Sequence, residues 1–209
     1  MPVGTIVAKH PARVADFNVI SDTSKTLAKV LSAGLAPLGA DCQVNDLFVP
    51  IGLPPAKPLL TLTLYEIIED PSARNRPTRR KVDRVTGKVI SSRAPAAMLL
   101  RYILAPWSGR ADTDHVLLGR AIQTLYDNAI ISGSDLEGTL FTAQEALKIT
   151  MVPMSIEDRT HVWRSIESKY RLSANYEVRV VNIDPEKQLV TPAVVSRRLE
   201  YGTLEDDAP

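Results

Sequence analysis

Met98-Leu99-Leu100-Arg101-Tyr102-Ile103-Leu104-Ala105-Pro106 is nearly continuous in apolar side chains. A strand of that kind belongs at a central position in a sheet, covered on both faces. Upstream, Leu59 to Ile68 sets Leu60, Leu62 and Leu64 against Thr61, Thr63 and Tyr65, the alternation of a strand with one well-buried side. Further strands are expected around Val44 to Val49, at Leu147 to Pro153, at Tyr176 to Ile183 and at Leu189 to Leu199. Asp184-Pro185-Glu186-Lys187 joins the last two, and its turn chemistry predicts that they pair as a hairpin.

Three helices are expected around these strands. In the first, Ile20 to Leu35, the residues Ile20, Thr23, Leu27, Val30, Leu31 and Leu35 recur at three- and four-residue steps. Ser21 and Asp22 suit its first turn, and Gly34 and Pro37 mark its end. The second runs from Thr113 to Ile130, with Asp112 or Thr113 as cap and Leu118, Ala121, Ile122, Leu125 and Ala129 along its apolar stripe. Asn128 to Gly138 reads as turns. Ser155, followed by Glu157 and Asp158, opens the third, which extends to about Lys169 with Ile156, Trp163, Ile166 and Tyr170 on its inner side. The fold class is therefore α+β: a mixed, largely antiparallel sheet flanked by about three helices.

The chain has 209 residues, 44% hydrophobic, and reads as one domain over residues 1–209. Its 25 Lys and Arg nearly balance 24 Asp and Glu, so nucleic-acid binding would need a local patch. The single cysteine, Cys42, excludes an intramolecular disulfide and a Cys-based zinc cage. No charged leader followed by an apolar stretch opens the sequence, so a cytoplasmic origin is expected. No run of about 18 apolar residues exists to span a bilayer.

Between Pro71 and Arg93 the composition changes abruptly. Arg74, Arg76, Arg79, Arg80, Lys81, Arg84, Lys88 and Arg93 are basic, and Asp83 is the only acid. Flanked by two strongly apolar strands, residues 71–94 must leave the body of the domain and return to it. Val82, Val85, Val89 and Ile90 around Thr86-Gly87 are compatible with a β-hairpin, and about 11 residues per limb at ~3.3 Å each would project roughly 35 Å. Such a projecting basic arm either stays solvated or orders against carboxylates or phosphates of a partner. Nucleic acid is the weaker candidate, because no aromatic residue is interleaved for stacking. Two other segments stand outside the core. Ile51 to Pro58, with three prolines, reads as an extended linker, and residues 201–209, with Glu205-Asp206-Asp207, read as an acidic flexible tail.

The sequence is poor in catalytic constellations. His10, His115 and His161 are far apart, and Asp112-Thr113-Asp114-His115 is explained by the preferences of a helix N-terminus rather than by metal ligation. No Gly-x-Ser-x-Gly elbow occurs, and Ser132-Gly133-Ser134 lacks the Gly-Lys-Ser or Gly-Lys-Thr of a phosphate loop. Glu66 and Glu69 lie at the end of an apolar strand just before the basic arm, where charge pairing accounts for both. Trp107 and Trp163 read as core or interface anchors, with Arg159 and Arg164 as candidate stacking partners. No cofactor, metal or catalytic residue is expected.

Three stretches carry a resemblance. Leu64-Tyr65-Glu66-Ile67-Ile68-Glu69-Asp70-Pro71-Ser72-Ala73-Arg74-Asn75-Arg76-Pro77 is similar to the strand and the start of the arginine-bearing arm of the cap proteins, or tail terminators, of phage-tail-like contractile injection systems. Leu100-Arg101-Tyr102-Ile103-Leu104-Ala105-Pro106-Trp107 and the later His115-Val116-Leu117-Leu118-Gly119-Arg120 resemble its strand, tryptophan and His-x-Leu-Leu-Gly helix. Glu157-Asp158, Trp163 and Tyr170-Arg171-Leu172-Ser173-Ala174-Asn175-Tyr176-Glu177-Val178 are like its helix, Tyr-Arg-x-Ser turn and final strands. This chain departs from the pattern at Ala105-Pro106-Trp107, where a Thr-Ala-Trp type sequence is expected.

The resemblance implies a non-enzymatic structural protein that forms a six-membered homo-oligomeric ring on the end of the inner tube. It also implies contact with the last sheath layer and the ending of polymerisation. Arg74, Arg76, Arg79, Arg80, Lys81 and Arg84 are the candidate subunit or sheath contacts. A sheath or baseplate adaptor of the same particle, or a nucleic-acid-binding module using the arm, are the alternative readings.

Overall fold

The computed structural model describes residues 16–45, 55–83, 85–143, 145–165, 170–185 and 188–191. Chain contacts divide it into two compact units, residues 1–75 with 95–184 and residues 76–94 with 185–209. In the first unit, β1 (Asp41–Val44), β2 (Leu59–Glu69), β5 (Ala96–Trp107), β6 (Ile130–Ser132), β7 (Ala146–Met151) and β8 (Ala174–Ile183) form a six-stranded sheet ordered β1-β2-β5-β8-β7-β6. Only the β1–β2 pair is parallel. The helices α1 (Val19–Leu35), α2 (Ala111–Asp127), α3 (Gly138–Ala143) and α4 (Ile156–Ser165) complete this unit. In the second unit, β3 (Arg79–Val82), β4 (Val89–Ser92) and β9 (Gln188–Thr191) form a separate antiparallel sheet. The architecture is α+β with a mixed, largely antiparallel main sheet.

β5 holds a central place because both of its faces are apolar. Leu100, Tyr102 and Leu104 enter the main core with Leu27, Leu31 and Leu35 of α1 and Leu117, Ala121 and Leu125 of α2. Ile103 and Ala105 point the other way and pack with Trp163 of α4 in a second, smaller cluster. β2 is covered on both sides too: Leu60 and Leu62 lie in the main core, while Thr61 and Thr63 are also buried. Thr61 accommodates burial by donating to the Ala105 carbonyl at 3.1 Å and accepting from the Trp107 indole at 2.9 Å. The threonine side of β2, expected to be the less buried one, is therefore a second packed face.

Several sequence expectations need correction. β8 and β9 do not pair as a hairpin: β8 pairs with β5 along one edge and with β7 over Tyr176–Arg179 of the other, and β9 pairs with β4 in the separate three-stranded sheet. The segment read as turns contains β6, a single 3-10 turn at Gly133–Asp135 and the start of α3. These elements are too short to show a period, and they form because Ile131, Leu136 and Leu140 join the main core. α3 brings the α-helices among the described residues to four. α2 starts at Ala111, with Arg110 as the N-cap residue rather than Asp112 or Thr113. Val44–Val49, the Ile51–Pro58 linker, the end of the Ser155 helix, the Leu189–Leu199 strand and the 201–209 tail lie partly or wholly outside the described residues.

α1 and α2 meet at a glycine. A Cβ built on Gly34 would lie 2.2 Å from Thr124 Oγ1, and Arg120 Nε reaches the Gly34 carbonyl at 2.9 Å. Gly34→Ala is therefore expected to cost about 1–3 kcal/mol in urea unfolding, as overpacked cores do. Thr124→Ala should relieve most of that cost, because it removes Oγ1 and Cγ2, the two nearest atoms. Simple additivity of the two substitutions would contradict this crossing geometry.

Candidate assembly surface

The second unit is built around a β-hairpin. β3 and β4 pair Arg79 with Ser92, Arg80 with Ser91, Lys81 with Ile90 and Val82 with Val89. Each limb of the ladder spans four residues. The turn follows from Asp83. Its carboxylate accepts the Val85 amide at 3.0 Å and the Thr86 hydroxyl, its carbonyl accepts the Gly87 amide at 2.8 Å, and Gly87 takes φ +64°. The Thr86 hydrogen bond, then the Val85 amide, hold the Asp83 carboxyl below its ordinary pKa. The one acid of the arm is thus engaged in shaping the turn.

Arg76, Arg80, Lys81, Lys88 and Arg93 are exposed. Among the described residues, Arg80, Lys88 and Arg93 make no ion pair. Nor is any described side chain of this unit buried; Val82 is 58% and Val85 94% exposed. A three-stranded sheet with so little apolar cover has scant stability of its own. Arg84 lies outside the described residues. Arg74 falls in the first unit, where its guanidinium bonds Glu69 at 3.1 Å just past the end of β2.

The face of the main sheet that carries α4 also carries a row of charges. Arg101 on β5 reaches Glu66 of β2 at 2.7 Å and Glu177 of β8 at 3.4 Å, and Arg179 reaches Glu177 at 2.7 Å. Cross-strand register sets this row, since Glu66, Arg101 and Glu177 are aligned neighbours on three adjacent strands. Glu69 thus pairs with Arg74 at the start of the basic stretch, whereas Glu66 pairs with Arg101 of β5, outside it.

Trp107 and Trp163 are held by partners other than those expected. The Arg171 guanidinium stacks over the Trp107 ring, 4.2 Å from its centroid, and also reaches Asp114 at 3.4 Å. Asp114 in turn accepts the Ser108 amide and hydroxyl at 2.9 and 2.7 Å. Trp163 is buried and donates to Ser173 Oγ at 3.4 Å. Arg159 instead donates to the Met154 carbonyl and towards the Tyr170 hydroxyl. The pairing of Trp107 with Arg171 joins positions 64 residues apart, so spacing alone gave no sign of it.

Burial, reinforced by the Asp41 charge, pushes the Cys42 thiol up to about 12, which leaves it protonated and inert. Among the described residues no group of three His, Cys, Asp or Glu could hold a metal ion, and His115 and His161 are exposed. No described helix is long and apolar enough to cross a membrane.

The fold is similar to two solved structures from contractile particles. One is the PVC sheath/tube terminator of an extracellular contractile injection system in its extended state. It has 17% identity and a TM-score of 0.60, over 91% of this chain and 65% of that one. The other is the tube-terminating cap of the anti-feeding prophage, AFP, with 19% identity and a TM-score of 0.57, over 87% of this chain and 61% of that one. The chain thus spans slightly less than two thirds of each. No curated protein matches it in sequence. Residues 22–197 match the family described as the Pvc16 N-terminal domain, and the chain belongs to that family.

Proposed function

We propose that this protein is a structural tail terminator: a ring, six-membered as in the family it resembles, that caps the inner tube of a contractile particle and joins the last sheath layer. The observation that carries this reading is the fold shared with two tube-terminating caps across nearly the whole chain. The exposed basic hairpin supports it, because a small sheet with no buried side chain among its described residues gains stability when a neighbour covers it. A closed ring needs one surface to fit a different surface on the next copy, and an arm is one means of supplying it. Ending a polymer also needs asymmetry, with one ring face matching the tube and the other unable to recruit a further layer. The subunit is assembled in the cytoplasm, and its role is structural rather than catalytic.

The triple variant Arg80→Glu, Lys81→Glu, Arg84→Glu tests this. Its circular dichroism and melting temperature should stay close to those of the parent, since surface charges contribute little to folding. Ring formation should fall sharply, and particles should lose uniform length and intact sheath ends in electron micrographs. Particles of normal length with well-formed ends would overturn the assignment of the arm. Label density at the baseplate rather than the far end would favour an adaptor role.

A further inference from the structure

We infer that the basic hairpin of one subunit docks on the β6 edge of the next copy in the ring, among Tyr126, Ile130 and Phe141 and beside Asp127 and Asp135. The inference rests on the ring reading and names the surface that receives the arm. Three large apolar side chains are left uncovered at that edge: Tyr126 in the last turn of α2 is 83% exposed, Ile130 of β6 63% and Phe141 of α3 54%. Ile131 and Leu140 beside them are buried in the main core, so the backbone that carries the patch is anchored. Phe141 also lines an open cleft of about 460 Å³ with Ser132, Gly133, Thr142, Glu145 and Ala146. An apolar patch rimmed by polar groups marks a contact surface. β6 is three residues long, too short to recruit a strand by main-chain pairing, so the contact belongs to side chains.

Charge identifies the occupant. Between Arg120 and Lys148 the chain carries Asp127, Asp135, Glu137 and Glu145 and no Lys or Arg. Glu137 is held by Lys29 and Glu145 accepts from Asn182 at 3.2 Å, whereas Asp127 and Asp135 are exposed and make no ion pair among the described residues. Asp127 does nothing for its own helix. It is the last residue of α2, at the negative end of the helix dipole, where a cation is favoured. The hairpin offers the complement: residues 76–94 carry seven Lys and Arg against one Asp, that Asp is occupied in the turn, and Val82 and Val85 stand exposed among the bases. An arginine suits the cleft on two counts, since a guanidinium stacks on an aromatic face and bonds a carboxylate.

Every copy carries both surfaces, and the two differ from each other. That is the condition for a head-to-tail contact that repeats until a ring closes. A sheath protein that presented carboxylates to the arm would leave the apolar edge uncovered, whereas a second copy accounts for both.

Exchanging charge between the two surfaces tests this. One variant reverses the arm, Arg80→Glu, Lys81→Glu, Lys88→Glu, and the other reverses the edge, Asp127→Lys, Asp135→Lys. Each should match the parent in circular dichroism, because all five side chains are exposed. Alone, each should lose ring assembly on tube ends by about tenfold or more, since like charges then meet. An equimolar mixture should assemble again. The reversed arm of one copy fits the reversed edge of the other, the unreversed pair fits as in the parent, and native mass spectrometry should find both variants in equal number in each ring. Rescue in a single chain with all five substitutions, without rescue in the mixture, would place the contact inside the subunit and overturn the proposal. Normal rings from the edge variant, or a mixture that stays monomeric, would overturn it too. With any of these results, rings formed by the parent leave the capping role standing. Absence of rings from the parent on tube ends removes the ring reading and this contact with it.

Discussion

Gly138→Ala is expected to destabilise the main unit by about 2–4 kcal/mol, the sum of a left-handed backbone strain and a core clash. Gly138 sits at φ +57°, and a Cβ there would lie 2.3 Å from Asp22 Oδ2. Asp22 cannot easily give way. It is 5% exposed, and that same oxygen accepts the Thr139 amide at 2.9 Å and the Thr139 hydroxyl at 3.0 Å, which secures the first turn of α3 from the side of α1. Thr26 Oγ1 accepts the Glu137 amide at 3.0 Å one turn further along α1.

Chemical denaturation of the parent, both single variants and the double variant Asp22→Ala, Gly138→Ala separates the two contributions. Asp22→Ala alone should be costly, because it orphans two donors. In the Asp22→Ala background, however, the added cost of Gly138→Ala should shrink to the strain alone, about 1–2 kcal/mol. A loss below about 0.5 kcal/mol for Gly138→Ala in the parent would mean that α3 moves freely away from α1.

Trp163→Ala is expected to release α4 while the main core stays folded. Among the described residues Trp163 is the only buried one in α4, and a helix of 10 residues has little stability without packing. Its cluster, with Ile103 and Ala105 and with Tyr65, Trp107 and Val162 at the margin, is separate from the larger core on the other face of the sheet. Removing a buried tryptophan costs about 3–5 kcal/mol, equivalent to 100-fold or more in local opening. Amide exchange across Ile156–Ser165 should quicken by that factor, while Leu100 and Leu104 keep their protection. Equal loss of protection on both faces of β5 would show that the two clusters unfold as one.

Much of the fold was legible because its signals are local. The continuous apolar run of β5 and the helical period of α1 each exceed the length over which a pattern can be read, and both elements stand within two residues of expectation. The β3–β4 pairing was legible from Val82, Val85, Val89 and Ile90 around Thr86-Gly87, whereas the role of Asp83 in the turn was not. α3 and β6 were hidden because six and three residues show no period, and their formation depends on Asp22 and on neighbours far away in the sequence. The partner of β8 was misread for a related reason. A short link between two strands favours a hairpin only when no other strand competes, and β4 takes β9 into a separate sheet.

What the sequence by itself determined is the class of fold, the central strand and the abrupt basic insertion, since hydrophobic period and charge density are properties of contiguous residues. Only the tertiary structure decided that Arg171 stacks on Trp107, that Glu66, Arg101 and Glu177 form one row, and that Gly34 and Gly138 are points of closest approach. Each of these depends on which strands and helices become neighbours, and that choice is made by burial summed over the whole core rather than by any segment alone.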